Sequence, residues 1–339
     1  MKTRPFNRFG MFDESVPLPS NPKIAIACNG PLTIQPAEER VMQASGVGKG
    51  RLTQEDERVA FDGHGPLSVK MPADAALTLQ VRGPVKIGEM PELRVHARSV
   101  IGPVIIETLH TLQIDSVKGP LNATRIQGDV TGASVQGPIT LEQVQGDVRI
   151  AKAAGPITVK KLMGDLELNL RGDAFIAPAG LKAQTLRIRG QDNVYLTLPA
   201  SARVQGRIQA GQGVRVELDQ LAASGDETNV TLTPAAGEGP IITLDIEVQG
   251  EAYVGPNPPA APGPAYQKTV GRGWLARIFE SLGRGESPIP SSAQASESAP
   301  AATPSTEDLS QEKSMILRMV AEGKITAEEG DQLLEALTQ

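Results

Sequence analysis

Between Gly119 and Gly172 apolar and polar residues alternate inside units of nine, each opened by glycine followed by proline or aspartate. The openings are Gly119-Pro120, Gly128-Asp129, Gly137-Pro138, Gly146-Asp147, Gly155-Pro156 and Gly164-Asp165, so the full repeat is eighteen residues made of two similar nines. The third position is always aliphatic (Leu121, Val130, Ile139, Val148, Ile157, Leu166), the fourth is polar throughout, and the fifth is small or aliphatic. The eighth is apolar at Ile126, Val135, Val144, Ala153 and Leu162, then fails at Arg171. Apolar-polar-apolar alternation after a turn residue is strand period. No unit has room for a helix, and each opens with a pair that stops one.

A short strand buries one face only, so a series of them with corners between must coil and stack around a shared aliphatic column. The expected fold is all-β: a single-chain parallel β-solenoid with about 18 residues per coil, plus a short amphipathic helix and a C-terminal α-hairpin. Glycine is expected to supply the corner dihedrals, and proline or aspartate to fix or hydrogen-bond the turn. Pro66, Pro84, Pro103, Pro120, Pro138 and Pro156 extend one phase, at spacings of 18, 19, 17, 18 and 18 residues. After Gly172 the phase slips by one residue, yet Leu186-Arg187-Ile188 and Val194-Tyr195-Leu196 keep the strand pattern.

Taken in order, residues 1–22 read as an arm without a core of its own, carrying Phe6, Phe9 and Phe12 among Lys2, Arg4 and Arg8. Residues 23–254 form the repeat body, with a polar, less regular passage to about Glu57 read as an early coil and a long loop. Val230-Thr231-Leu232 and Ile241 to Val254 read as closing strands that cap the last coil. A Pro-rich linker covers 255–272, and a Ser/Ala/Pro linker covers 285–305. Between them, residues 273–284 place Trp274, Ile278, Leu282, Leu275 and Phe279 on one arc of a helix, with Arg277 and Arg284 opposite. Residues 306–339 read as a helical hairpin: an apolar run through Leu317 and Val320, a turn at Gly323, a capping box at Thr326-Ala327-Glu328-Glu329, then Leu333, Leu334 and Leu337. Two such helices bury too little to stand alone, so Leu317, Val320, Leu333, Leu334 and Leu337 are the expected oligomerisation surface.

Composition narrows the chemistry. Aromatic residues are only 3% of the 339, and the formal charge of -6 argues against a nucleic-acid surface. The single cysteine, Cys28, excludes an intramolecular disulfide framework and fits a reducing compartment. Met1 to Lys23 lacks the apolar core of a secretory signal, which makes the cytoplasm the expected location. A nine-residue period with Gly and Asp invites a calcium β-roll, but one carboxylate per coil cannot supply the 6 to 8 oxygens that calcium takes. His64, His96 and His110 show no ligand spacing, and no phosphate loop or nucleophile elbow appears. The expectation is therefore no catalytic residue, no metal and no cofactor. Five of the ten aromatic residues, Phe6, Phe9, Phe12, Trp274 and Phe279, fall in two basic segments outside the repeat. With Ile278 they either cover an open end of the solenoid or contact an anionic inner membrane face.

The Gly-Asp-Val and Gly-Pro-Ile units resemble the bacterial "putative adhesin" domain of unknown function, a β-solenoid, and Ile316 to Glu329 resembles the SHOCT-like class of short helical hairpins. The resemblance covers roughly residues 60 to 254 and 307 to 338 and implies a non-enzymatic bacterial protein, an oligomerising hairpin, and a role in envelope assembly or stress. Two departures stand out: proline in alternate copies is not that family's commonest choice, and no signal sequence accompanies the adhesin-like part. Three readings follow. The first is a structural or interaction protein that forms a homo-oligomer through the hairpin, with peripheral membrane contact open and nucleic acid excluded. The second is a bactofilin-like polymer joined end to end. The third is a polysaccharide-active solenoid enzyme, which would need an aromatic platform and grouped carboxylates; the repeat body is expected to have neither.

Overall fold

The computed structural model describes residues 2–258, apart from 56, 180–181, 200, 219–220 and 235–236, with side chains from residue 11 onward. These residues form 25 strands and no helix, so the all-β expectation holds for this part of the chain. The expected helix at 273–284 and the hairpin at 306–339 lie outside the described residues. The chain divides into two units, Met1–Phe279 and Glu280–Gln339.

The eighteen-residue period reappears as hydrogen-bond register. Leu121 pairs in parallel with Ile139, Ile139 with Ile157, and Ile157 with Ala174. A second ladder runs Leu112, Val130, Val148, Leu166, Leu186, again parallel. Every one of these side chains is buried, and the residue after each faces outward. Strand alternation thus sends the third and fifth positions into one continuous aliphatic column, each side chain contributing roughly 1.5–3 kcal/mol by burial. Where the repeat breaks, the register absorbs it: Ala153 pairs with Leu170 rather than Arg171, after an irregularity beyond Ile150. Leu170 is buried and Arg171 exposed, so one residue has been dropped and the column kept.

The corner glycines are there for a different reason than expected. Of the six in the clean repeat only Gly119 has a left-handed φ, +151°. Gly137, Gly146, Gly155 and Gly164 are required by close approach, because corners of successive repeats stack backbone on backbone. A Cβ on Gly155 would stand 2.8 Å from the Gly137 carbonyl, and one on Gly137, Gly146 or Gly164 would come closer still to the corner before it. The aspartates also act between repeats: the Asp147 N–H donates to Asp129 Oδ1 at 2.9 Å, and the Asp165 N–H to Asp147 Oδ1 at 2.9 Å.

At both ends the order in space departs from the order in sequence. Strand Lys23–Asn29 lies parallel between Arg58–His64 and Ala76–Arg82, and Leu32–Pro36 lies between Leu67–Met71 and Val85–Ile101. Outside them Val41–Glu55, within the passage read as an early coil and a long loop, runs antiparallel along Arg58–His64 and Leu67–Met71. Lys2–Pro17 in turn runs antiparallel along Val41–Glu55. The reading of 1–22 as an arm is thereby corrected: Val16 and Leu18 are buried, and the Phe12 ring stacks on Phe61 with centroids 5.8 Å apart.

The far end repeats this plan. Ile241–Val248 lies parallel between Gln184–Gly190 and Arg203–Ala210, and Glu251–Gly255 between Val194–Thr197 and Gly213–Val216. These strands are therefore internal, not the closing strands expected of them. The outer position belongs to Asn229–Pro234, antiparallel to Arg203–Ala210, and to Leu221–Gly225 beyond it. The antiparallel strand covers the outer edge of Arg203–Ala210 from Gly206 to Gln209.

Candidate interaction surfaces

Outward positions of the parallel ladders line up across repeats, and two such rows carry chemistry. On one face the row runs Thr140, Thr158, Phe175, Tyr195, Tyr253, each the register partner of the next. The Phe175 and Tyr195 rings stack nearly parallel, 5.0 Å between centroids and 12° between planes. Burial and the nearby Asp173 and Glu251 push the Tyr195 hydroxyl pKa up. Tyr253, next in the row, is itself buried; its hydroxyl donates to Glu217 Oε2 at 2.7 Å and accepts the Asn257 N–H at 3.2 Å. Burial, then the bond to Glu217, raises the Tyr253 pKa, while bonds from Tyr253 and Arg215 hold the Glu217 carboxyl low. The two pKa values move apart, which suits a fixed phenol-carboxylate bond rather than proton exchange.

This row corrects the expectation that the body lacks an aromatic platform. The sequence concealed it because the spacing changes there: Phe175 and Tyr195 are twenty residues apart, and Tyr253 returns only after the inserted strands. Each residue nevertheless follows an inward apolar position, Ala174, Val194 or Ala252, which is the signal that finds them. Phe175 and Tyr195 spend ring faces on each other instead of offering both to a planar ligand.

On the other ladder the outward row reads Thr131, Arg149, Glu167, Arg187, Asp245, Arg207, with charge alternating at every step from Arg149 on. Beside it the small residues Gly132, Ala133 and Ala151 leave a shallow trough of about 830 Å³. Arg149 bonds Asp147 at 2.7 Å, and Arg189 bonds Asp245 at 3.3 Å and also Glu247. Asp115, at the trough's edge, is 2.9 Å from His96 Nε2. Carboxylates are present, but alternation with arginine separates them, and the mixed signs give no single-sign field for a polyanion. Among the described residues no cluster of His, Cys, Asp and Glu could hold a metal ion.

Cys28 is buried, its thiol donating to the Gly65 carbonyl at 3.4 Å. Burial, with a smaller push from Asp62, raises its pKa to about 11, so the thiolate a nucleophile needs is scarce at neutral pH. Of the other residues singled out in the sequence, Phe6 and Phe9 lie on strand Lys2–Pro17. Trp274, Ile278, Phe279, Leu317, Val320, Leu333, Leu334 and Leu337 lie outside the described residues.

Residues 311–339 match the SHOCT-like domain. No curated protein matches the chain by sequence. Solved structures that the chain resembles include a "putative adhesin" from Bacteroides fragilis, at 10% identity and TM-score 0.35 over 72% of this chain and 96% of that one. A second is a "putative cell adhesion protein" from Clostridium sporogenes, at 10% identity and TM-score 0.18 over 74% and 99%. Likeness at this level carries no functional weight.

Proposed function

We propose that this chain is a non-enzymatic structural and interaction protein: a β-solenoid rod, linked to a helical hairpin at 306–339 that self-associates through Leu317, Val320, Leu333, Leu334 and Leu337. The observation that carries the rod reading is the parallel register, in which Leu121, Ile139 and Ile157 stack at the sequence repeat with their glycine corners in backbone contact. A body built this way is stiff and presents ordered outward rows, which suits recognition and scaffolding. Against catalysis, the trough's carboxylates alternate with arginines, and the Tyr253 proton stays on the phenol with Glu217 ionised beside it. The SHOCT-like match supports the hairpin, whose apolar stripe exceeds what two helices hide between themselves. The rod belongs in the cytoplasm on this reading, in keeping with its one cysteine.

The test is solution mass by light scattering. Full-length protein should exceed the mass expected of the same chain lacking residues 306–339 by a whole-number factor beyond the length difference. Leu334→Glu should reproduce the loss. Equal oligomeric states for all three would remove self-association through the hairpin.

A further inference from the structure

We infer that residues 273–279 fold back onto the C-terminal end of the β body, where Trp274, Ile278 and Phe279 cover an apolar core that the last strands leave open. The occupant is a segment of the same chain, so this contact stands beside the hairpin contact and does not rest on it.

The outermost strands at that end do not finish the core. Val214 and Val216, on Gly213–Val216, are register partners of Ala252 and Val254, and Val230, on Asn229–Pro234, is the partner of Ile208. Ala252, Val254 and Ile208 are 1% exposed or less, whereas Val214, Val216 and Val230, on the same inward faces, are only half-buried. Leu218, two residues after Val216, and Leu221, at the start of the next strand, are half-buried too. All five pack on the core with one side and have no layer over the other. The N-terminal end is finished by comparison: on its two outer strands Val16, Met42, Ala44 and Leu52 are each 3% exposed or less. Among the described residues Gly213–Val216 pairs with Glu251–Gly255 alone. The Glu227 carbonyl takes the Val214 N–H at 2.7 Å, and no described strand follows beyond it. Scattered half-buried aliphatics need no explanation, but five together at the end of a core mark a contact surface.

The place where the chain leaves the β body identifies the occupant. Strand Glu251–Gly255 lies directly beside Gly213–Val216, and Tyr253 ties the exit to it. The Tyr253 hydroxyl donates to Glu217 Oε2 at 2.7 Å and accepts the Asn257 N–H at 3.2 Å. The described chain ends at Pro258, so the residues that follow start from the uncovered surface itself. The Pro-rich linker then delivers Trp274, the only tryptophan of the chain, with Ile278 and Phe279 on one arc of the expected helix. At roughly 3 Å per residue, residues 259–272 are long enough to turn back and hold that arc at high local concentration over Val214 and Val216. The chemistry of the two faces agrees: the strands offer aliphatic side chains without a charge among them, and the segment offers two aromatic rings, each able to bury about 150–250 Å².

The experiment reads Trp274 fluorescence in the full chain carrying Leu334→Glu, so that hairpin association does not contribute. Emission should lie at shorter wavelength than in the urea-unfolded chain, at every protein concentration and without lipid. Val216→Lys and Val230→Lys should each shift it towards the unfolded value while far-ultraviolet circular dichroism stays that of a β protein. Four results would each overturn the inference: emission at the unfolded value in the parent; a blue shift lost on dilution, which means a second copy; a blue shift that arises only with phosphatidylglycerol vesicles, which means a membrane; or one that either lysine variant leaves intact. Should the lysine variants fail to fold, cysteine pairs decide it. Val216→Cys with Ile278→Cys should close a disulfide within one chain about tenfold faster than Val216→Cys with Arg277→Cys, because the tether is the same and only one side of the segment faces the strand. Equal rates would overturn the inference as well.

Discussion

Asp129 reaches across a full repeat to Asp147: its Oδ1 accepts the Asp147 N–H at 2.9 Å, eighteen residues on. Asp147 does the same for Asp165, and Asp165 for Thr185 at 2.8 Å. Proline in the alternate corners has no side-chain acceptor, so the two kinds of corner are held differently. Close glycine stacking is common to both; the aspartate corners add a chain of carboxylate-to-amide bonds, and the proline corners a fixed φ.

This relationship sets the first prediction. Asp147→Ala leaves the Asp165 N–H to water and also removes the partner of Arg149. The corner is exposed, so the loss should stay near about 0.5–1.5 kcal/mol for the hydrogen bond. Asp147→Asn, which keeps an acceptor oxygen, should lose less than half as much in denaturant titration. Equal losses for both would mean that the charge, and not the bond between repeats, matters.

Glycine stacking gives the second. In Gly155→Ala the new Cβ meets Gly137 backbone at 2.8 Å, and backbone in a continuous stack cannot step aside locally. Destabilisation by about 1–3 kcal/mol is expected, the range for overpacking. Gly237→Ala, where the nearest atom is a side-chain nitrogen of Arg203 at 3.9 Å, should be close to neutral. Urea midpoints of the two variants decide it, since both make the same chemical change.

The third concerns pH. Cys28 has a folded pKa raised by burial from 9.0 to about 11. Below 9.0 the thiol is neutral in both folded and unfolded chains, and its packing is fully retained. As pH rises from there to about 11 the unfolded chain loses its proton first, so stability falls across that window. The difference in stability between the parent and Cys28→Ala should therefore shrink from pH 9 to 11 and stay level between pH 6 and 8. A difference that grows with pH would reverse the assignment. At neutral pH the thiol should also react slowly with alkylating reagents unless denaturant is added.

How far the sequence is legible depends on where the repeat is regular. From Leu121 to Leu168 the inward positions could be read directly, because a two-residue strand period and an eighteen-residue stacking period point at the same side chains. Reading weakened where the two part company. Val41–Glu55 is polar and glycine-containing, and its partners lie on both sides of it in space, so local alternation resembled a loop. The placement of Ile241–Val248 between two earlier strands leaves no mark in the sequence, since a parallel neighbour eighteen or fifty-eight residues away makes the same demands on a strand. The outward rows fared likewise. Arg149 and Glu167 are visible as fourth positions, but Arg187 and Asp245 join their row only through the register of the folded chain.

The last prediction concerns Phe6, Phe9, Phe12, Trp274, Ile278 and Phe279, expected either to cover an end of the β body or to meet a membrane. Phe12 already packs on Phe61, its ring partly withdrawn from solvent in a strand whose Val16 is buried. No helix of the described residues is long and apolar enough to cross a membrane. A single short amphipathic helix at 273–284 would bind lipid weakly without a second anchor, and Phe12 is occupied. We therefore expect full-length protein to remain in the soluble fraction when mixed with anionic vesicles at low salt. If residues 273–284 cover part of the β body instead, Trp274→Glu should lower the melting temperature while leaving that fractionation unchanged. Flotation of the parent that is abolished by Trp274→Glu, with the melting temperature unmoved, would establish the membrane reading in its place, because only a lipid contact is lost without any change in the fold.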